Sequence, residues 1–144
     1  MAVSPQSLAA LIPHRGAMCL LHEVVHMDHE RITCRAVSHR DPEHPLREEG
    51  MLPALSGIEY AAQAMAVHGA LCESHGARPG MLAAVRDVVL NVERLDDIPD
   101  DLVITARRLL DDSTRLMYEF DVCAGARELV RGRAVVVLGT GGAR

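Results

Sequence analysis

Residues 56–63 place a serine, a glutamate and a glutamine where their side chains could do chemistry together. The stretch reads SGIEYAAQ, so Ser56 lies three residues before Glu59 and Gln63 lies four residues after it. On a helix these side chains form one short polar stripe among alanines and other apolar residues. A carboxylate on a buried helix costs free energy unless it has a partner or a task. Glu59 is therefore predicted to be an active-site acid; the alternative is a structural glutamate that bonds Gln63 and the backbone.

A second candidate is the segment HEVVH at residues 22–26, which matches the HExxH pattern of zinc proteases. That chemistry needs both histidines on one helix, one turn apart, so that they bind the same metal. Val24 and Val25 favour a strand instead, and on a strand His22 and His26 would lie about 13 Å apart. The segment is therefore interpreted as polar residues on a strand, and no metal site is predicted.

The elements that must position these residues follow an α+β order. The hydrophobic pattern predicts a hairpin over residues 17–27 and 32–37, and then one long helix that begins at Pro53 and is apolar on most sides. An antiparallel meander of four strands is predicted after the helix, at residues 81–95, 102–110, 115–123 and 128–138. We expect a single domain over residues 1–138, followed by a flexible tail over 139–144.

Composition excludes several classes of function. Hydrophobic residues make up 49% of the 144 residues, which is typical of a folded domain and not of a disordered chain. The net charge of −5 and the scarcity of aromatic residues argue against a nucleic-acid binder. No apolar run has the length of a membrane span, so no membrane association is expected. The four cysteines are far apart, which predicts reduced thiols in a cytoplasmic protein.

Two segments resemble the 3-hydroxyacyl-ACP dehydratases of the FabZ/FabA type, which have the hotdog fold. The first is LIPHR at residues 11–15, followed by CLLHEV at residues 19–24. The second is Leu52-Pro53 followed by EYAAQ at residues 59–63, with the same Pro-to-Glu and Glu-to-Gln spacing as in that family. The four strands after the helix extend the resemblance to about residue 138. The stretches PHRGAMCLL and GIEYAAQAMAVHG are similar to a divergent branch associated with aryl-polyene pathways.

The resemblance implies a catalytic pair formed by a loop histidine and a helix glutamate from facing subunits. Glu59 matches the glutamate. His44 is the nearest match to the histidine, although it lies one residue early relative to Pro53 and lacks the family's flanking glycines; His39 or a histidine of a different subunit are the alternatives. We further expect the backbone N–H groups near Ala54 and Gly57 to polarise the thioester, and Gln63 to orient the carboxyl group of Glu59.

The reaction implied is loss of water from a 3-hydroxyacyl thioester, without a metal or other cofactor. The substrate would arrive on the phosphopantetheine of an acyl carrier protein, for which Arg107, Arg108, Arg131 and Arg133 are candidate docking residues. A homodimer or higher oligomer is expected, or a mixed dimer in which a second dehydratase subunit supplies the histidine. The alternatives are a thioesterase of the same fold and a non-catalytic partner subunit.

Overall fold

The computed structural model describes residues 18–72, 80–112 and 114–139, in which one helix packs against a six-stranded antiparallel sheet. The predicted α+β class is therefore confirmed. The helix is α1 (Gly57–Cys72), and the strands in chain order are β1 (Glu23–Met27), β2 (Arg31–Ala36), β3 (Gly80–Leu90), β4 (Leu102–Asp111), β5 (Arg115–Ala124) and β6 (Arg127–Leu138).

The sheet order differs from the simple meander that the sequence predicts. The strands lie in the order β1-β2-β4-β5-β6-β3, so β2 pairs with β4, and β3 pairs with β6 at the far edge. A meander would have placed β3 next to β4. The connection over residues 91–101 instead carries the chain from one edge to the middle of the sheet, and the hydrophobic pattern of single strands contains no information about that crossing.

Two predicted strands are too long. The strand predicted over 81–95 ends at Leu90, because residues 91–95 leave the sheet to hold the segment before α1. Within the described residues, the strand predicted over 17–27 begins only at Glu23. The tail predicted from residue 139 lies almost wholly outside the described residues.

The first hairpin places the HEVVH segment on a strand, as the two valines predict. Glu23 to His26 belong to β1, which has a register shift between Val24 and His26. The turn after β1 is held by Asp28, whose carboxylate accepts the backbone N–H groups of Glu30 and Arg31 at 2.9 Å each. The helix that a zinc protease would need is therefore not formed by this segment.

The helix α1 is buried along most of its length. A 3-10 helix over Ala54–Ser56 leads into it after Pro53, whose extended backbone (φ −63°, ψ 148°) ends the preceding loop. Buried positions recur along the whole of α1 and include Tyr60, Ala64 and His68. The abundance of alanine lets the sheet curve closely around the helix, since small side chains shorten the distance between packed elements.

The core lies between α1 and the inner face of the sheet. Residues alternate along β2 and β5, so that every second side chain is buried against the helix. All four cysteines are free thiols, and burial raises the pKa of Cys34 on β2 to about 12. Within the described ranges, no helix has the length and apolar character needed to span a membrane.

Candidate active site

The start of α1 is fastened to the loop that follows β3. The backbone N–H of Ala54 donates to the carbonyl of Glu93 at 3.0 Å. The N–H of Leu95 donates to the carbonyl of Leu52, and the N–H of Leu52 donates to the carboxylate of Asp96. Asp96 is itself held by Arg94, and that guanidinium lowers the pKa of the carboxyl group to about 2. The segment that carries Glu59 into the protein is therefore rigidly placed.

Three of the backbone N–H groups at residues 54–57 already donate hydrogen bonds within the chain. Besides Ala54, the N–H groups of Ser56 and Gly57 donate to the carbonyls of Pro53 and Ala54. In this conformation the N–H groups of Ala54 and Gly57 already have acceptors within the chain, and their polarisation of a thioester stays a prediction.

Gly57 has a packing role. A Cβ atom at this position would lie 3.1 Å from Cγ2 of Val130 and 3.6 Å from Cγ2 of Val122. The missing side chain thus lets the first turn of α1 lie directly on β5 and β6.

Glu59 lies in the first turn of α1 and is partly exposed. Gln63, its neighbour in the predicted polar stripe, is buried instead. Gln63 is 2% exposed, and its amide accepts the N–H of Leu20 at 2.9 Å and donates to the carbonyl of Met18 at 2.6 Å. Gln63 therefore fixes the segment before β1, and its expected role in orienting Glu59 stays a prediction.

His44 belongs to a chain of four hydrogen bonds whose direction can be assigned. The backbone N–H of Leu46 donates to Nδ1 of His44 at 3.1 Å, so in the neutral ring the proton is on Nε2. Nε2 then donates to the hydroxyl of Tyr60 at 3.0 Å. Tyr60 donates to Ser38 at 2.7 Å, and Ser38 donates to the carbonyl of Leu20 at 2.8 Å.

This chain leaves His44 without a lone pair for proton abstraction. If the proton moved to Nδ1, it would point at the N–H of Leu46, and the two N–H groups would repel each other. A doubly protonated ring would have the same conflict at Nδ1. Burial also lowers the pKa of His44, and the nearby charge of Arg47 lowers it further. The ring is only 5% exposed. In this conformation His44, which we predicted as the catalytic base, is a hydrogen-bond donor that ties its loop to α1.

His39, the alternative base, is also a structural residue. Its ring is fully buried, and Nε2 lies 3.1 Å from the carbonyl of Ile98 and 3.0 Å from that of Asp100. Two carbonyl acceptors require a proton on Nε2. The ring therefore holds the loop before β4 against the 3-10 helix at Ser38–Arg40.

A second buried histidine–tyrosine pair lies near the end of α1. Nε2 of His68 donates to the carbonyl of Asp28 at 2.8 Å, so Nδ1 accepts the hydroxyl of Tyr118 at 2.7 Å. The guanidinium of Arg108 lies 5.9 Å from the centre of the Tyr118 ring. This cluster joins the helix to the first hairpin and to β5. It holds a second neutral histidine inside the protein, since burial lowers the pKa of His68.

Sequence reasoning missed Tyr60 and Ser38, the residues that continue the hydrogen-bond chain from Nε2 of His44. Tyr60 is fully buried, and burial raises its pKa to about 12. One signal was available: Tyr60 is the single aromatic residue of an alanine-rich helix, and it follows Glu59 directly. A buried tyrosine hydroxyl needs a partner. Nothing in the sequence, however, identifies Ser38 and His44 as those partners.

Comparisons with known proteins agree on both family and fold. Residues 6–140 match the model of the ApeP-like family of ApeP dehydratases. The dehydratase heterocomplex ApeI:P from Xenorhabdus doucetiae contains a chain that is 25% identical, with a TM-score of 0.81 over 92% of this chain and 91% of that one. No significant match to a curated protein sequence was found.

Thioesterases share the architecture. The thioesterase HI1161 from Haemophilus influenzae is 11% identical, with a TM-score of 0.69 over 95% of this chain and 91% of that one. The zebrafish thioesterase superfamily member 2 is 18% identical, with a TM-score of 0.67 over 94% of this chain and 95% of that one. At such low identity these matches show the fold alone, and they confirm the predicted hotdog fold.

Proposed function

Because the chain belongs to the ApeP-like dehydratase family, we propose that it is one subunit of a mixed dehydratase dimer that acts on 3-hydroxyacyl thioesters. The substrate is carried by an acyl carrier protein, and the product is a trans-2-enoyl thioester. One observation carries the proposal of a mixed dimer: both ring nitrogens of His44 are engaged within the chain. The chain offers the carboxyl group of Glu59, and the histidine comes from the other subunit.

Two further observations support a second subunit. The chain of known structure that matches with a TM-score of 0.81 belongs to a dehydratase heterocomplex. In addition, β3 is the edge strand of the sheet, and it exposes large apolar side chains: Met81 is 73% exposed and Leu90 is 46% exposed. An edge strand of 11 residues with apolar side chains favours pairing with a strand of another subunit.

The proposed reaction divides the work between the two subunits. The partner's histidine takes the C2 proton, and the electron pair of the C2–H bond forms the C2–C3 double bond. The C3–O bond breaks, and the departing hydroxyl takes a proton from the carboxyl group of Glu59 and leaves as water. Glu59 must therefore enter the reaction protonated. General acid and base groups of this kind contribute about 10²- to 10⁴-fold each to the rate.

A dimer of this kind would contain one working site and one incomplete site. A shared site forms where the helix of one subunit meets the histidine loop of the other. The site that uses Glu59 receives the partner's histidine. The opposite site would depend on His44, which is buried and donates its proton to Tyr60. The expected stoichiometry is one working site per dimer.

The proposal is tested by measuring water loss from a 3-hydroxyacyl carrier protein by mass spectrometry. Three samples are compared: this chain alone, the second dehydratase subunit alone, and an equimolar mixture of the two, each with a chelator present. The expected result is enoyl product from the mixture and at least about 100-fold less from this chain alone, since a general base is missing. Equal turnover by this chain alone would contradict the mixed dimer. Release of free acid would identify a thioesterase instead.

A further inference from the structure

The outer face of the sheet, which points away from α1, carries a row of arginines. Each residue of the row is the direct cross-strand partner of the next, and their sequence neighbours such as Ile32 and Ala106 are buried beneath the sheet. The row runs across β2, β4, β5, β6 and β3 through Arg31, Arg107, Glu119, Arg133 and Arg86. We call Arg31, Arg107, Arg133 and Arg86 the arginine row.

The arginine row places like charges directly opposite one another on neighbouring strands. Arg31 lies directly opposite Arg107, and Arg86 lies directly opposite Arg133. Like charges in directly opposed positions destabilise a sheet. Glu119, which lies between Arg107 and Arg133, is the one carboxylate in line with these arginines, and it binds Arg107. In the part of the chain that the structure describes, no ion pair involves the other three arginines of the row.

Several arginines elsewhere in the described residues are ion-paired. Arg94, Arg108 and Arg115 each have a carboxylate within ion-pair distance. Arg108, which the sequence suggested as a docking residue, is only 11% exposed and lies over the ring of Tyr118. Arg107 and Arg133, which the sequence also suggested, do face outward in the arginine row. Among the described residues, three arginines without an ion pair thus lie together on one face of a chain whose net charge is −5.

We propose that the arginine row is the docking surface for the acidic carrier protein that delivers the thioester; this inference rests on the proposed function. Adjacent strands are about 4.8 Å apart, so the row spans about 19 Å. That length equals about 13 residues of an α-helix, so one acidic helix could align its carboxylates with the row. The guanidinium group of arginine binds a carboxylate through two parallel hydrogen bonds, which favours this pairing.

The neighbouring row of the same face favours a protein partner over a nucleic acid. There Leu110, Met117, Val135 and Ala84 are cross-strand partners, and Leu110 is 41% exposed. An apolar strip beside a charged row is typical of an interface between proteins. A second copy of this chain is a poor occupant, because a two-fold contact through this face would bring like charges together.

The test measures binding of the apo carrier protein, which lacks phosphopantetheine, to the intact mixed dimer by calorimetry at low salt. The variant Arg86→Gln/Arg133→Gln is expected to weaken binding at least 10-fold and to reduce its salt dependence. The control Arg40→Gln/Arg127→Gln removes the same charge from exposed positions outside the row and is expected to change binding less than twofold. In the dehydration assay the row variant should raise KM for the acyl carrier protein and leave kcat unchanged.

The outcomes separate this inference from the proposed function. Binding by the row variant within twofold of wild type would overturn the docking surface, whatever the enzyme does. The docking surface would also be overturned if the row variant kept its affinity for carrier protein but lost binding to a DNA duplex or to vesicles of phosphatidylserine. If the carrier protein binds through the row but loses no water when acylated, the proposed reaction fails and the docking surface stands.

Discussion

Replacing Glu59 by glutamine is expected to lower turnover by the mixed dimer about 10²- to 10⁴-fold. Glutamine has nearly the same volume and the same reach as glutamate, but its amide cannot deliver a proton to the departing hydroxyl. The loss should be nearly complete because the site opposite, which would need His44, is not expected to work. The measurement is kcat for water loss from a 3-hydroxyacyl carrier protein.

The matched control for this variant is Glu93→Gln. Glu93 is exposed and belongs to the loop that holds the start of α1, where its backbone carbonyl accepts the N–H of Ala54. Its side chain has no proposed role, so kcat should stay within about twofold of wild type. Glu93→Gln should unfold at the wild-type midpoint, since surface changes of this kind alter stability little. The midpoint of Glu59→Gln is measured beside it, so that unfolding is distinguished from loss of the proton donor. A Glu59→Gln enzyme with more than a tenth of wild-type kcat would show that another group supplies the proton.

The free energy of unfolding is expected to fall steeply as the pH drops below about 6.5, the ordinary pKa of histidine. Burial lowers the pKa of His39, His44 and His68 in the folded protein, so their neutral forms are favoured there. As the pH falls, the histidines of the unfolded chain are protonated before those of the folded protein. The stability that the three neutral rings contribute above about pH 6.5 is therefore lost as the pH falls below that value. Each histidine contributes a slope of up to about 1.4 kcal/mol per pH unit.

Urea unfolding at fixed protein concentration between pH 8 and pH 5 measures this slope. The carboxylates with lowered pKa, such as Asp96 and Asp101, titrate at lower pH and so lie outside this window. The variant His68→Gln provides the internal comparison, since it removes one of the three groups and should make the slope shallower by up to about 1.4 kcal/mol per pH unit. Stability that is flat from pH 8 to pH 5 would contradict the neutral, buried state of the three rings.

The elements of this fold could be predicted from the sequence because their signals are local. The alternation of buried and exposed residues on β5 and the alanine-rich helix after Pro53 are visible in single segments. The position of β3 at the far edge is not visible in any single segment, because it depends on how the long connection after Leu90 crosses the sheet. Hydrophobic periodicity determines which face of a strand is buried, but it does not determine which strand is its neighbour.

The site was only partly predictable, for a related reason. The position of Glu59 at the start of a helix follows from its neighbours in sequence. The state of His44 follows from contacts with Tyr60, 16 residues away, and with the backbone N–H of Leu46. Which ring nitrogen carries a proton is set by such partners, and only coordinates reveal them. Gly57 and Gln63 illustrate the same limit, since both are explained by packing partners that lie far away in sequence.

Turnover by a mixed dimer that contains His44→Ala tests most directly whether this chain supplies the acid but not the base. The account predicts kcat within about threefold of wild type once the dimer is shown to be intact, while Glu59→Gln loses about 10²-fold or more. If alanine at this position prevents folding, His44→Gln tests the same point, since an amide cannot act as the base, and it should also leave kcat within threefold. A fall of about 10²-fold in kcat for an assembled His44→Ala dimer would contradict the account and return the role of base to His44.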